Sequence, residues 1–105
     1  IQICAGLALR FDSLTHLQPI FRDLKPGNVG VNLQGDYLLF DFGLAKELKK
    51  KDLVQAPDSF KATGLTGSLR YMAPEVVICD NYGFSADVYS FGLIFWETMA
   101  LKIPY

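Results

Sequence analysis

The sequence predicts an α+β fold, mainly helical with one small β-hairpin, and three observations carry that reading. Two apolar runs, Val29–Leu33 and Tyr37–Phe40, flank Gln34-Gly35-Asp36, the pattern of two short strands joined by a glycine-containing turn. Apolar helical patterns stand on either side of this hairpin, one over Ile1–Leu17 and one from Ala86 to about Ala100. Between the hairpin and the second helix, Leu44–Met72 has little periodicity and many Lys, Asp, Ser, Thr and Gly residues. So long an irregular stretch inside a compact domain is functional or disordered.

Each element has its local cause. Ile1–Leu17 is rich in Ala, Leu and Ile and reads as a buried helix that Pro19 stops, because proline rejects the helical conformation for Gln18 before it. Arg22–Asn28 is polar, contains Pro26-Gly27, and is a loop. The hairpin follows, and its antiparallel course returns Asp41 to the end where Asn28 entered. Ala73–Val77 begins a short helix with proline in its first turn. Ser85 is the expected N-cap of the last helix. That helix carries Val88, Tyr89, Phe91, Leu93, Ile94, Phe95 and Trp96, apolar nearly all round, which places it in the middle of a core.

Composition bounds the function. The chain has 105 residues, half of them apolar, and a net charge of −1, enough for one small domain and no argument for nucleic acid or an acidic membrane as partner. The dense charge run Lys46–Asp52 lacks interleaved aromatics and reads as a solvated loop, with a phosphate- or partner-binding patch as the other reading. Cys4 and Cys79 sit far apart in apolar stretches and His16 is alone, so no metal cluster is indicated. Buried free thiols and a structural or surface histidine are expected, with a cytoplasmic location by default. Val88–Ile103 is interrupted by Ser90, Glu97, Thr98 and Lys102 and is shorter than the ~20 residues that cross a bilayer.

Three motifs occur in order: Phe21-Arg22-Asp23-Leu24-Lys25-Pro26-Gly27-Asn28, then Asp41-Phe42-Gly43 with Asp41 eighteen positions after Asp23, then Ala73-Pro74-Glu75. Gly67-Ser68-Leu69-Arg70-Tyr71-Met72 precedes the third, and Ala86-Asp87-Val88-Tyr89-Ser90-Phe91-Gly92 with Trp96-Glu97 follows it. Together they resemble the eukaryotic protein-kinase superfamily over almost the whole chain. The resemblance implies a large-lobe fragment running from the catalytic loop to the central helix. The small lobe is expected upstream, since Ile1 is not Met and neither a glycine-rich phosphate loop nor a strand lysine of that lobe occurs. Further helices are expected downstream of Tyr105.

The resemblance implies ATP-dependent phosphorylation of protein serine or threonine, with ATP and Mg2+ as cofactors. Phosphoryl transfer asks a protein mainly for positioning and charge neutralisation. Asp23 is then the acceptor for the substrate hydroxyl, and Lys25 neutralises the transferring phosphate. Asn28 and Asp41 supply hard oxygens to magnesium. Lys25 within Leu-Lys-Pro-x-Asn is the serine/threonine pattern, and Gly67–Glu75 is most similar to the tyrosine-kinase-like group, whose members mostly phosphorylate Ser/Thr. Ser68 is expected to bond Asp23 and Lys25, and Asp87 to accept backbone N–H groups of the catalytic loop. Arg22 is expected to read phosphorylation of Thr63 or Thr66, which glycines flank. A catalytically silent binding module of the same family, or a non-functional gene fragment, is the alternative.

Three departures from the family pattern stand out. Phe21 replaces a histidine, and its ring is expected to pack on Phe42 beside Gly43. Gly30 stands where a large apolar side chain forms the floor of the adenine pocket, so a neighbour must fill the gap or nucleotide affinity falls. Glu75 would lack the arginine that a later helix supplies, an expensive position for an interior acid.

Overall fold

A computed structural model describes residues 19–55 and 59–105. The expected first helix, Cys4 and His16 lie outside the described residues. Among the described residues, six short strands form three antiparallel pairs: β1 (Pro19–Ile20) with β4 (Lys46–Glu47), β2 (Val29–Val31) with β3 (Tyr37–Leu39), and β5 (Leu53–Gln55) with β6 (Ser59–Phe60). Two α-helices follow, α1 (Pro74–Val77) and α2 (Phe84–Ala100).

The β2–β3 hairpin pairs Val29 with Leu39, Gly30 with Leu38 and Val31 with Tyr37. Its turn is closed by Asn32, whose side-chain oxygen accepts from the Gln34 and Asp36 N–H groups at 2.9 and 2.8 Å. Alternation sorts the faces. Val29 and Leu39 pack against Phe21, Leu24 and Ile94, while Gly30 and Leu38 face away from that cluster.

A second cluster joins Ile20, Leu48, Phe60, Val76, Tyr82 and Ala86. It corrects the reading of two segments. The charge run Lys46–Asp52 is largely solvated, but Leu48 within it is fully buried and β4 pairs with β1. The stretch Leu44–Met72 is not without structure: it holds β4, β5 and β6, and Phe60 bridges to Tyr82. Strands of two or three residues carry no readable period and exist only through their partners.

Helix α2 also departs from expectation. It begins at Phe84 with Gly83 in the cap position, so Ser85 lies inside the first turn. Its buried residues, Ala86, Asp87, Ser90 and Ile94, form one stripe at helical spacing. Val88, Phe95, Trp96 and Met99 are exposed, because the described elements cover one side of the helix only. Among the described residues, no helix is long and apolar enough to cross a membrane. Cys79 is a free thiol but an exposed one: it lies past the end of α1 in the left-handed region, with φ 59°, beside Gly64.

Candidate active site

The loop between β1 and β2 makes a sharp turn with Arg22 in the left-handed region at φ 68°. An L-residue holds that conformation only when its surroundings impose it. Here the imposing group is Asp87, buried at the start of α2. Its carboxylate accepts the Phe21 N–H at 2.6 Å and the Arg22 N–H at 2.8 Å. These are the partners expected for Asp87. A buried carboxylate is stabilised by just such donors.

The turn presents Asp23, itself buried. Ser68 reaches it twice, donating its backbone N–H at 2.8 Å and its hydroxyl at 2.7 Å to Oδ1. Lys25 Nζ lies 3.2 Å from Asp23 Oδ2 and donates to Ser68 Oγ at 2.7 Å. Asn28 Nδ2 donates to the Asp23 carbonyl at 2.8 Å and to Oδ2 at 3.1 Å. Burial alone would push the Asp23 carboxyl up. The hydrogen bonds from the Ser68 hydroxyl, Lys25 and the Ser68 N–H outweigh burial and hold it below its ordinary value of 3.8. Asp23 is therefore ionised at neutral pH, and Oδ2, whose contacts to Asn28 and Lys25 are the longer ones at 3.1 and 3.2 Å, is the less tightly held oxygen.

Pro26 opens a 3₁₀ turn, Pro26–Asn28, that aims Asn28 at Asp23. With both contacts made through Nδ2, the side-chain oxygen of Asn28 is left to accept from elsewhere. Phe40 N–H donates to the Asn28 carbonyl at 2.8 Å, which extends the hairpin pairing by one residue and sets Asp41 beside Asn28. Asp41 is exposed, in the left-handed region at φ 61°, and takes the Gly43 N–H at 3.2 Å. The pair is a hard-oxygen donor set of one amide and one carboxylate. Among the described residues no group of three or more His, Cys, Asp or Glu side chains gathers into a metal cage. Few protein oxygens with open directions suit magnesium, which takes its remaining ligands from phosphate and water. Phe42 meets Phe21 edge to face at 5.2 Å between ring centroids, so a stack forms without the imidazole.

Arg22 spans toward the following segment. Its Nε donates to the Leu44 carbonyl at 2.6 Å and its Nη1 to the Tyr82 hydroxyl at 3.4 Å. Tyr82 in turn donates to the Thr63 carbonyl. Thr66 donates its hydroxyl to the carbonyls of Thr63 and Gly64 at 2.9 and 3.2 Å. Arg22, Tyr82, Thr63 and Thr66 thus form one connected group, while the threonine hydroxyls have no direct bond to the guanidinium. Glu75 is only partly buried and forms no ion pair among the described residues. The anticipated interior acid is therefore a partly solvated one, and its desolvation cost is correspondingly small.

Two positioning residues escaped sequence reading. Gly67 has φ 108°, and a Cβ there would lie 2.1 Å from the Arg22 carbonyl oxygen. Only glycine lets the chain pass that close and deliver Ser68 to Asp23. Glycine immediately before the serine was the available signal. Tyr71 is the other: its hydroxyl donates to Glu97 Oε2 at 2.6 Å, and its carbonyl accepts from Ser90 Oγ at 2.6 Å. Burial, with the hydrogen bond and charge of Glu97, pushes the Tyr71 hydroxyl up to about 12. The 3₁₀ turn Leu69–Tyr71 is thereby clamped to α2. No local pattern announces that contact.

Comparison with known proteins follows the same residues. The family described as Protein kinase domain matches residues 2–105. "Ribosomal protein S6 kinase 2 alpha" of Xenopus laevis and "Ribosomal protein S6 kinase alpha-1" of Homo sapiens are each 39% identical over 101 residues. "Ribosomal protein S6 kinase alpha-3" of Homo sapiens is 40% identical over 101 residues. Each alignment covers 96% of this chain and 13% of the relative, so the chain spans about an eighth of their length. These names say nothing for the tyrosine-kinase-like group. The match over nearly every residue, on a site already assembled from Asp23, Lys25, Asn28 and Ser68, shows that the chain belongs to the protein kinase domain family.

Proposed function

We propose that the chain carries the catalytic loop of a kinase that phosphorylates serine and threonine side chains of proteins, within a longer domain that includes a small lobe and further helices. The observation that carries this reading is the seat of Ser68. An aliphatic hydroxyl already lies between Asp23 and Lys25, 2.7 Å from each. The same two groups suit a second aliphatic hydroxyl, that of a substrate. Its relatives named ribosomal protein S6 kinase agree with a protein as the substrate.

In this reading ATP, held with magnesium, supplies the phosphoryl group. Asp23 Oδ2 accepts the hydrogen bond of the substrate hydroxyl, orients its lone pair and takes its proton as the new bond to phosphorus forms and the bond to the leaving oxygen breaks. With its carboxyl held below the ordinary range, Asp23 is a weak base, so its main work is orientation. Lys25 places a cation beside the transfer path. Asn28 and Asp41 offer the metal-facing oxygens, and Asp87 fixes the turn on which Asp23 stands.

The test is phosphate transfer by the full-length protein containing this chain, with labelled Mg-ATP and a generic basic protein, followed by phosphoamino-acid analysis. Phosphoserine and phosphothreonine are expected, and Asp23→Asn should remove them. Phosphotyrosine alone would overturn the substrate class. No transfer by the wild-type protein, with Mg-ATP still bound, would favour the silent binding module.

A further inference from the structure

Tyr82 stands just before α2, and one atom of it joins the two stretches that meet at the site. Its ring is buried with Ile20, Leu48, Phe60, Val76 and Ala86. Its backbone exchanges two hydrogen bonds with Phe60, at 3.1 and 3.2 Å. Its hydroxyl donates to the Thr63 carbonyl and accepts from Arg22 Nη1 at 3.4 Å. A phenol has one proton to give and lone pairs to receive with, so the two bonds use both capacities of one oxygen. The guanidinium meets no anion in this arrangement. Its bonds go to the Leu44 carbonyl and the Tyr82 hydroxyl, both neutral, and among the described residues it enters no ion pair. Filling the core asks only for the ring, and the Thr63 carbonyl alone would satisfy a buried hydroxyl. The bond from Arg22 is what core packing leaves unexplained. Arg22 adjoins Asp23 in the chain, and Thr63 stands five residues before Ser68, which donates twice to Asp23. Between Thr63 and Ser68 the chain is pinned at Leu65, whose N–H donates to the Val76 carbonyl at 2.9 Å, and passes against the Arg22 carbonyl at Gly67.

We propose that Tyr82 is a positioning residue for phosphoryl transfer to protein: through its hydroxyl, Arg22 holds the segment at Thr63 with no phosphate on the chain. The inference rests on the kinase reading above and adds to it how Ser68 is kept at Asp23 before any modification. Without the hydroxyl, the stretch Thr63–Ser68 is released at one end, and Ser68 spends less time on Asp23. The substrate hydroxyl then meets a carboxylate that is less often in place. The metal-facing residues are spared, because Asn28 and Asp41 are brought together through the Phe40 N–H at the end of the hairpin. Loss of the link therefore falls on transfer to the protein substrate and leaves Mg-ATP binding as it was.

The experiment uses the full-length protein carrying Thr63→Ala and Thr66→Ala, in which no phosphate forms at either position and the carbonyl at position 63 is kept. In this background Tyr82→Phe should lower kcat/KM for a generic basic protein by roughly twofold to tenfold, the effect of one net hydrogen bond, and leave the Mg-ATP dissociation constant unchanged. Arg22→Ala should lower it as well, and the combination should add little, because both changes remove one link. A tyrosine that only fills the core would give a lower Tm with a normal rate, or losses additive with Arg22→Ala, and either result overturns the proposal. A parallel loss of Mg-ATP affinity overturns it too. Hydrogen exchange decides the case in which Tyr82→Phe does not fold. Arg22→Ala leaves the core ring in place and should speed exchange over residues 63–68 but not in α2, and unchanged exchange there would overturn the link. Transfer by the wild-type protein with none by the double threonine background would show that phosphate is required, and overturn this proposal alone. No transfer by the wild-type protein would overturn the kinase reading as well.

Discussion

The loop Phe21–Asn28 and the segment Asp41–Gly67 meet at the same site but are held in different ways. The loop is fixed by side chains from far along the chain. Asp87 takes two of its N–H groups, Ser68 takes Asp23, and Asn28 closes back on Asp23. Most of these atoms are buried, and no buried side-chain polar atom among the described residues lacks a partner. The described part of the segment is held by short strand pairings and single contacts instead. Leu44 bonds Arg22, Lys46 Nζ donates to the Lys61 carbonyl at 3.1 Å, Leu65 N–H donates to the Val76 carbonyl at 2.9 Å, and Leu48 and Phe60 enter the core. Between them its side chains are mostly exposed. The two stretches differ in what holds them: buried side-chain donors and acceptors in the loop, short backbone pairings and single contacts in the segment.

The strongest way to break the contrast is to remove the chemistry and keep the scaffold. Asp23→Asn and Asp41→Ala in the full-length protein should each lower kcat by ~10²–10⁴. Asp41 is exposed, so its loss should leave the Tm close to wild type. If both variants keep more than about a tenth of the rate, the assigned roles are wrong. Asp87→Ala attacks the scaffold itself. It leaves the Phe21 and Arg22 N–H groups without their acceptor and should cost about 2–6 kcal/mol in urea unfolding. An unchanged midpoint would mean that the loop holds its turn unaided.

Gly67→Ala tests the junction of the two regions. Its Cβ meets backbone, not a flexible side chain, so Ser68 must retreat from Asp23. We expect a loss of about 1–3 kcal/mol in stability, together with a lower kcat. A variant that is destabilised but catalytically normal would separate Ser68 from the chemistry. Within the segment, Thr63→Ala with Thr66→Ala should lower activity severalfold if phosphate there is read by Arg22, and so should Arg22→Ala. Combining them should add little, because coupled residues are non-additive. Simple additivity would leave the switch unsupported.

The smallest effects are titrations. The folded Asp23 carboxyl is depressed, so its contribution to stability is complete above 3.8 and is lost as pH falls below that value through the folded pKa. Tyr71 is raised, so its contribution is complete below 10.0 and is lost as pH rises from there through about 12. Chemical unfolding across both ranges should show wild type losing its advantage over Asp23→Asn on the acid side and over Tyr71→Phe on the alkaline side. Curves that stay parallel would deny the shifts.

How much of this was legible in the sequence follows the same division. The hairpin could be read because its alternation and its Gln34-Gly35-Asp36 turn are local, and the observed strands fall inside the expected runs. The contacts among Asp23, Lys25 and Ser68 were anticipated through the motif resemblance, not through any local rule. Segment Leu44–Met72 was opaque because its strands are two or three residues long, too short for a period, and β4 and Phe60 take partners at Ile20 and Tyr82 outside it. Ser85 misled because a good capping residue says where a helix is able to start, and Gly83 is where it does. Phe40 was hidden for a steric reason: the gap at Gly30 is filled diagonally across the hairpin, and no linear pattern records that.

The bond from Asp87 to the catalytic loop joins residues 66 apart in sequence. A ribosome adds roughly 5–20 residues per second, so Phe21 precedes its anchor by roughly 3–13 s of synthesis. During that interval the loop has Asp23, Lys25 and Asn28 but lacks the carboxylate that accepts the Phe21 and Arg22 N–H groups. Translation products that stop short of residue 87 therefore carry every motif of the loop without its working shape.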